Sequence, residues 1–187
     1  MDEDGRRRRS ETSRKAIVAA MLALVREGNV SPGAEEVAAR GKVGLRTVFR
    51  HFENMESLYR EMNEAMEAEV LPLADKPFAS TSWRANLDEL IVRRAEIFER
   101  ILPLKIASDV HRHRSAFLNA QMTRLVRVQR AALVALLPRR VGGKPETLEA
   151  LDLILSFDSW RRLRQDQKLT IKRAQQIVAH MAARLVD

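Results

Sequence analysis

Apolar residues recur every three or four positions along nearly the whole chain, and no short stretch alternates between apolar and polar side chains. A spacing of three and four matches the turn of an α-helix, whereas a half-buried strand would alternate. Each such helix buries its apolar stripe and exposes its polar face. The pattern therefore predicts an all-α protein.

The apolar pattern predicts three helices within the N-terminal region. The first ends at Gly28, a residue type that tolerates the left-handed backbone found after a helix. The segment 41–44, which contains two glycines, interrupts a short second helix, and a third short helix covers 45–52. The four arginines at 6–9 form a polar arm before the first helix.

A long fourth helix is expected to begin after Asn54, a good N-cap residue, and to be closed by Pro72 and Pro77. The segment 73–82 is the best candidate for a linker. Beyond it the same spacing predicts a second bundle, with helices that end before Pro103, that end at Pro138, and that cover 146–165 and 170–186.

The predicted helix over 146–165 is apolar almost all round, so one core face does not account for it. A second subunit packed against it would do so, which predicts a homodimer; the alternative is a helix buried centrally in one monomer. The residues expected at the dimer interface are Leu148, Leu151, Leu155, Ile177, Met181 and Leu185.

Composition narrows the class of protein further. The 187 residues carry a net charge of +8, which favours polyanionic partners, although solvated arginine-rich faces would give the same balance. The absence of cysteine excludes disulfides, thiolate chemistry and cysteine-ligated metals, and suits a reducing compartment. No apolar run is long enough to span a membrane. We expect a cytoplasmic protein.

The segment 37–52 is the most informative part of the chain. Val37 and Ala38 would face inward on the second helix, and Val48 would fix the third helix across it, as in a helix-turn-helix. The outward side of the third helix then carries hydrogen-bond donors and apolar groups suited to the major groove of DNA. These outward residues are Leu45, Arg46, Thr47, Phe49, Arg50 and His51.

Residues 17–58 resemble the DNA-binding domain of the tetracycline-repressor (TetR) family of bacterial transcription regulators. The matching features are the helix end at Gly28, the Val-Ala pair of the second helix, the turn at 41–44, the Thr-Val-Phe-Arg-His-Phe string at 47–52, and Leu58. The resemblance implies a DNA-binding domain over 1–53 and a helical effector-binding and dimerisation domain over 54–187. It also implies a homodimeric, ligand-responsive repressor that binds a palindromic operator in the bacterial nucleoid.

By the same resemblance, Thr47 and His51 would grip phosphates, while Leu45, Arg46 and Phe49 approach bases. Lys42 and Arg50 would supply further charge, and Gly44 would begin the recognition helix. The chain departs from the family by placing Gly33 and Gly44 where capping hydroxyl residues are usual, Phe49 where a tyrosine is usual, and Met55 where a lysine is usual. The arginines at 6–9 would either enter a minor groove or remain a solvated tail.

An effector pocket would lie inside the second bundle, lined by large side chains that plain core packing also explains. The candidates are Met62, Met66, Trp83, Phe98, His111, Phe117, Met122, Phe157 and Trp160. No catalytic or cofactor-binding motif is present, and His111 and His113 are spaced wrongly for one metal ion on a helix, so we expect no enzyme, metal or cofactor. The alternative functions are a ligand-binding scaffold without specific DNA recognition and a non-specific basic DNA-binding protein.

Overall fold

A computed structural model of the chain describes residues 2–187, with side chains for all of these except 2–4 and 55. The described residues form helices and connecting turns and no strand, which confirms the all-α expectation. The helices are α1 (Asp2–Arg26), α2 (Ala34–Arg40), α3 (Leu45–His51), α4 (Met55–Ala74), α5 (Trp83–His111), α6 (Ala116–Leu136), α7 (Arg139–Gly142), α8 (Pro145–Ile154), α9 (Phe157–Arg161) and α10 (Ile171–Val186). A 3₁₀ turn at Arg112–Arg114 follows α5, and a π turn at Arg162–Asp166 follows α9.

The chain divides into two compact units. The first unit consists of Met1–Glu69 with Pro103–Ala120, and the second of Val70–Leu102 with Gln121–Asp187. The division differs from the predicted boundary after residue 53, because the first unit also contains most of α4 and the segment that joins α5 to α6.

The core of the first unit forms where α1, α2 and α3 pack together with α4. Ile17 of α1, Val37 of α2 and Leu58 of α4 are completely buried, and Val48 of α3 is 2% exposed. Gly28 has a φ of +98°, and its backbone N–H donates to the carbonyl of Val25, so it ends α1 in the expected left-handed conformation.

The second unit has an aromatic core between α5, α9 and α10. The rings of Phe98 and Phe157 meet edge to face with centroids 5.6 Å apart, and both residues are almost completely buried. Trp160 is also buried, and its Nε1 donates to Glu99 Oε1 over 2.8 Å. A buried indole N–H is therefore satisfied inside the same unit.

Two adjacent arginines of α5 are buried in the second unit. Arg94 is 6% exposed and donates to the backbone carbonyl oxygens of Leu155 (3.0 Å) and Gln129 (2.6 Å). Burial lowers the pKa of Arg94 to about 10, partly offset by the charge of Asp152. Arg93 is 8% exposed and donates to the carbonyls of residues 74, 76 and 77 as well as to Glu89. Both guanidinium groups therefore serve the fold.

Four helix boundaries differ from the predictions. α4 continues through Pro72 and ends at Ala74, so Pro72 does not close it. The arginines at 6–9 belong to α1 rather than to a separate arm. α5 continues through Pro103, because apolar residues on both sides of the proline, Ile101 and Leu104, are buried and hold the helix together. The helix predicted over 146–165 breaks at Leu155, because the Ser156 side chain caps a new helix by accepting from the Ser159 N–H.

Among the described residues, we find no helix with both the length and the apolar character needed to cross a membrane.

Candidate nucleic-acid interface

α3 lies across the first unit with one side buried and one side open. Val48 anchors the inner side in the core, whereas Phe49 is 58% exposed and Leu45 is 38% exposed. Arg46 and Arg50 are also exposed. The short helix therefore presents two cations and two apolar side chains on one surface, which we call the α3 face (Leu45, Arg46, Phe49 and Arg50).

The turn between α2 and α3 depends on a close approach to α1. A Cβ atom on Gly41 would lie 3.1 Å from the Val37 carbonyl oxygen and 3.4 Å from the Ala16 carbonyl oxygen. A residue without a Cβ atom therefore fits at this position without movement of the neighbouring backbone. Lys42 follows in the left-handed region with a φ of 52°, which is unfavourable for a residue with a Cβ. The lysine is exposed, as the prediction requires.

The two glycines at helix starts have different consequences. At α2, the Glu36 carboxylate accepts from the Gly33 N–H over 2.8 Å, so a side chain from within the helix satisfies the free N-terminal donor. At α3, Gly44 has an extended backbone and no side-chain cap, and Thr47 is partly buried just inside the helix. The missing hydroxyl cap is thus compensated at α2 but not at α3.

Arg14, which no sequence pattern singles out, links α1 to the end of α3 and to α4. Its Nε donates to Glu61 Oε1 on α4 over 2.5 Å, and its Nη1 donates to the His51 carbonyl at the end of α3 over 3.2 Å. The same guanidinium lies 4.8 Å above the centre of the Phe52 ring. One side chain of α1 therefore ties the C-terminus of α3 to α4. No local pattern signals these contacts, because the partners are 37 and 47 positions away.

His51, predicted to contact a phosphate, lies in a largely enclosed environment. Its ring is only partly exposed, and its Nε2 is buried without a hydrogen-bond partner among the described residues. Burial lowers the pKa of His51, and the charges of Arg50 and Arg14 act in the same direction. The ring therefore favours its neutral form, and a phosphate contact through Nε2 would require this atom to become exposed.

Two other expectations concern the rim of this surface. The arginines at 6–9 are exposed on α1, where consecutive residues point to different sides, so they surround one turn of the helix with charge rather than form an extended arm. Met55 stands where a lysine is usual in the tetracycline-repressor family. Its side chain lies outside the described part of the chain.

The residues predicted to line one effector pocket are divided between the two units. The first unit holds Met62, Met66, His111 and Phe117, and the second unit holds Trp83, Phe98, Met122, Phe157 and Trp160. The cavity that Phe98 and Trp160 line has a volume of only about 10 Å³, so these aromatic residues pack as core. In the first unit, Phe117 is covered by the Arg60 guanidinium at 4.0 Å.

His111 lies in a different environment. Its ring stacks on Tyr59 with centroids 5.2 Å apart and an angle of 25° between the planes. Both rings line an open cleft of about 540 Å³ whose other walls come from the start of α2, from α3 and from the segment that joins α5 to α6. Phe49 of the α3 face lies on the rim of this cleft.

The six residues predicted for a dimer interface are not equally accessible. Leu151 is completely buried and Leu155 is 3% exposed inside their own unit, so neither is free to contact a second subunit. The other four, Leu148, Ile177, Met181 and Leu185, are partly exposed. Leu153 of α8 was not singled out from the sequence and is 66% exposed.

Compared with known proteins, the chain matches no protein-family model and no curated protein sequence. Within the part of the chain whose side chains are described, no group of three or more histidine, aspartate or glutamate residues is arranged to hold a metal ion.

Proposed function

We propose that the protein is a sequence-specific, DNA-binding transcriptional regulator of the tetracycline-repressor type. In this proposal α2 and α3 are the two helices of a helix-turn-helix, and the α3 face enters the major groove. The protein would act in the bacterial cytoplasm, at the nucleoid, as a homodimeric repressor that responds to a small molecule.

The observation that carries the proposal is the composition of the α3 face. A helix whose inner residue, Val48, is 2% exposed presents two exposed arginines beside two exposed apolar side chains. Arginine can pair bidentately with guanine, and apolar groups can contact the thymine methyl. Phe49 is 58% exposed beside the exposed Leu45, and contact with the bases in the major groove would cover both side chains.

Arg14 supports a route by which such a protein is regulated. Any displacement of α4 changes the position of Glu61, which shares the Arg14 guanidinium with the C-terminus of α3. In a dimer the two α3 helices would occupy successive major grooves about 34 Å apart. An effector that favours another spacing would weaken DNA binding, typically by ~1–3 kcal/mol.

Selection from a randomised duplex pool tests the proposal. The purified protein is incubated with the pool at near-physiological salt, and the bound duplexes are sequenced. An enriched palindrome is expected from a dimeric regulator. Binding without enrichment would instead favour a non-specific basic DNA-binding protein, and absence of binding a ligand-binding scaffold.

A charge-matched pair of variants makes this experiment sharper. The double variant Arg46→Ala, Arg50→Ala removes both cations of the α3 face. The double variant Arg139→Ala, Arg140→Ala removes two exposed arginines of α7 in the second unit. Both lose the same charge, so general attraction to DNA falls equally. Enrichment should disappear only in the α3 variant, and equal loss in both would contradict the proposed interface.

The dimer is tested on α8. Leu153→Glu places a charge at the most exposed of the apolar residues on this helix, and it should yield a folded monomer by light scattering and circular dichroism. The variant Val92→Glu, at a 54% exposed valine of α5, is the control for a charge placed on another apolar surface residue. A Leu153→Glu variant that remains a dimer would move the interface to a different surface.

A further inference from the structure

We propose that the cleft beside α3 is a binding site for a small planar aromatic carboxylate, and that its occupant competes with DNA for Phe49. The site lies wholly within the first unit and outside the C-terminal bundle, where the effector pocket was expected. Ligand binding is inferred from the geometry of the cleft alone, whereas the effect of the ligand on DNA affinity rests on the proposed function.

The size and lining of the cleft suit a small molecule. Its volume of about 540 Å³ falls within the range of about 300–1,000 Å³ that is usual for ligand sites. Pro32, Ala34, Phe49 and Tyr59 give it apolar walls. Polar and charged side chains line the rest of it, namely Ser31, Asn54, Glu56, His111, Arg114 and Ser115. By contrast, the cavity beside Phe98 and Trp160 has space for about one water molecule.

The aromatic part of the ligand is inferred from the Tyr59–His111 stack. The two rings stack at 5.2 Å and 25° and both line the cleft, so a third planar ring can stack on the outer face of this pair or meet its edge. Burial raises the pKa of Tyr59, so its phenol stays neutral at physiological pH. The surface is therefore uncharged at Tyr59 and favours an apolar ring.

The carboxylate is inferred from the charges at the mouth of the cleft. The only acidic group among the lining residues, Glu56, already accepts from Ser115 Oγ over 2.9 Å and lies 4.0 Å from Arg60. Arg112 is within 4.0 Å of Asp109. Arg114 is exposed at the cleft and forms no ion pair with any residue that the structure describes. A ligand carboxylate can pair bidentately with such a guanidinium.

The link to DNA is the position of Phe49. This side chain belongs both to the α3 face and to the rim of the cleft. A ligand ring that packs against Phe49 covers part of the surface that would approach the bases. Ligand and DNA are then mutually exclusive or strongly antagonistic, and by linkage each weakens the binding of the other by the same factor.

The test uses the fact that Tyr59 is the single tyrosine of the chain. Full-length protein labelled with 3-fluorotyrosine gives one fluorine NMR signal, which reports on the floor of the cleft. Titration with 2-naphthoate should shift this signal saturably, and the uncharged analogue 2-naphthalenemethanol should bind roughly tenfold more weakly. Absence of a saturable shift, or equal affinity for the two compounds, would overturn the site.

Two variants separate the guanidinium from its neighbour. Arg114→Gln should remove the preference for naphthoate over the alcohol, whereas Arg112→Gln, two positions away and near Asp109, should retain it. Loss of the preference in both variants, or in neither, would contradict the assignment of Arg114. Circular dichroism of each variant confirms that the labelled protein is folded.

The DNA arm is measured separately, by fluorescence anisotropy on a duplex enriched in the selection experiment. Naphthoate should raise the apparent Kd for DNA in wild-type protein but not in Arg114→Gln. If naphthoate binds without changing the affinity for DNA, the proposed competition is wrong, whereas the proposed binding site is still supported. A protein that binds naphthoate but no DNA would instead contradict the proposed function, because the NMR result stands on its own.

Discussion

Arginine has opposite roles in the two units of this protein. On α3, Arg46 and Arg50 are exposed beside apolar side chains. On α5, Arg93 and Arg94 are buried and bonded to backbone carbonyls. The net charge of +8 counts all four alike, but only the first pair is available to a polyanion. Overall charge therefore overstates the basic surface of this chain, and the contacts of each guanidinium decide its function.

The largest effect is expected from Arg94→Met. The substitution removes the side-chain donor from the carbonyl oxygens of Leu155 and Gln129, so unfolding should become easier by about 3 kcal/mol in urea denaturation. Arg161→Met, at an exposed arginine of α9 in the same unit, should change stability by less than about 0.5 kcal/mol. If both variants lost the same free energy of unfolding, buried and exposed arginines would not differ in their contribution to stability.

Arg46→Ala should have the converse profile. Stability should hardly change, while affinity for the selected operator falls by about 1–3 kcal/mol and base preference relaxes at one position. Anisotropy titrations on the operator and on variants of it measure both quantities. Uniform weakening on every sequence would make Arg46 a phosphate contact, and Thr47→Ala provides the reference for that behaviour.

A smaller effect is expected from the two lysines in the left-handed region. Lys42 has a φ of 52° in the first unit and Lys168 a φ of 56° in the second. Replacement by glycine should relieve the Cβ strain and stabilise each variant by about 1 kcal/mol in thermal or urea unfolding. Only Lys42→Gly should also lose DNA affinity. A matching loss in Lys168→Gly would show that both lysines act through general charge.

The smallest effect concerns pH and His51. Because burial lowers its pKa in the folded protein, the folded state binds a proton less readily than the unfolded state, whose ordinary value is 6.5. The stabilising contribution is therefore present above that value and is lost as the pH falls through the lower folded-state pKa. We expect His51→Asn to reduce the fall in urea midpoint between neutral and mildly acidic pH.

Local sequence determined the helical class and much of the first unit. Gly28 ends α1 because its φ of +98° suits glycine, and Val37 and Val48 are buried as their spacing predicted. Arg46, Phe49 and Arg50 of the α3 face are exposed as expected, because each lies about 100° or more around the helix from the buried Val48. These features depend on neighbours only a few positions apart.

The tertiary structure alone decided which polar groups remain available. The contacts of Arg14 with Glu61 and His51, and the bond from Arg94 to Leu155, join residues 37 to 61 positions apart. The burial of Leu151 and Leu155 and the cleft at Tyr59 and His111 arise in the same way. Periodicity identifies the apolar face of a helix, but the element that covers this face is fixed only when distant segments pack together.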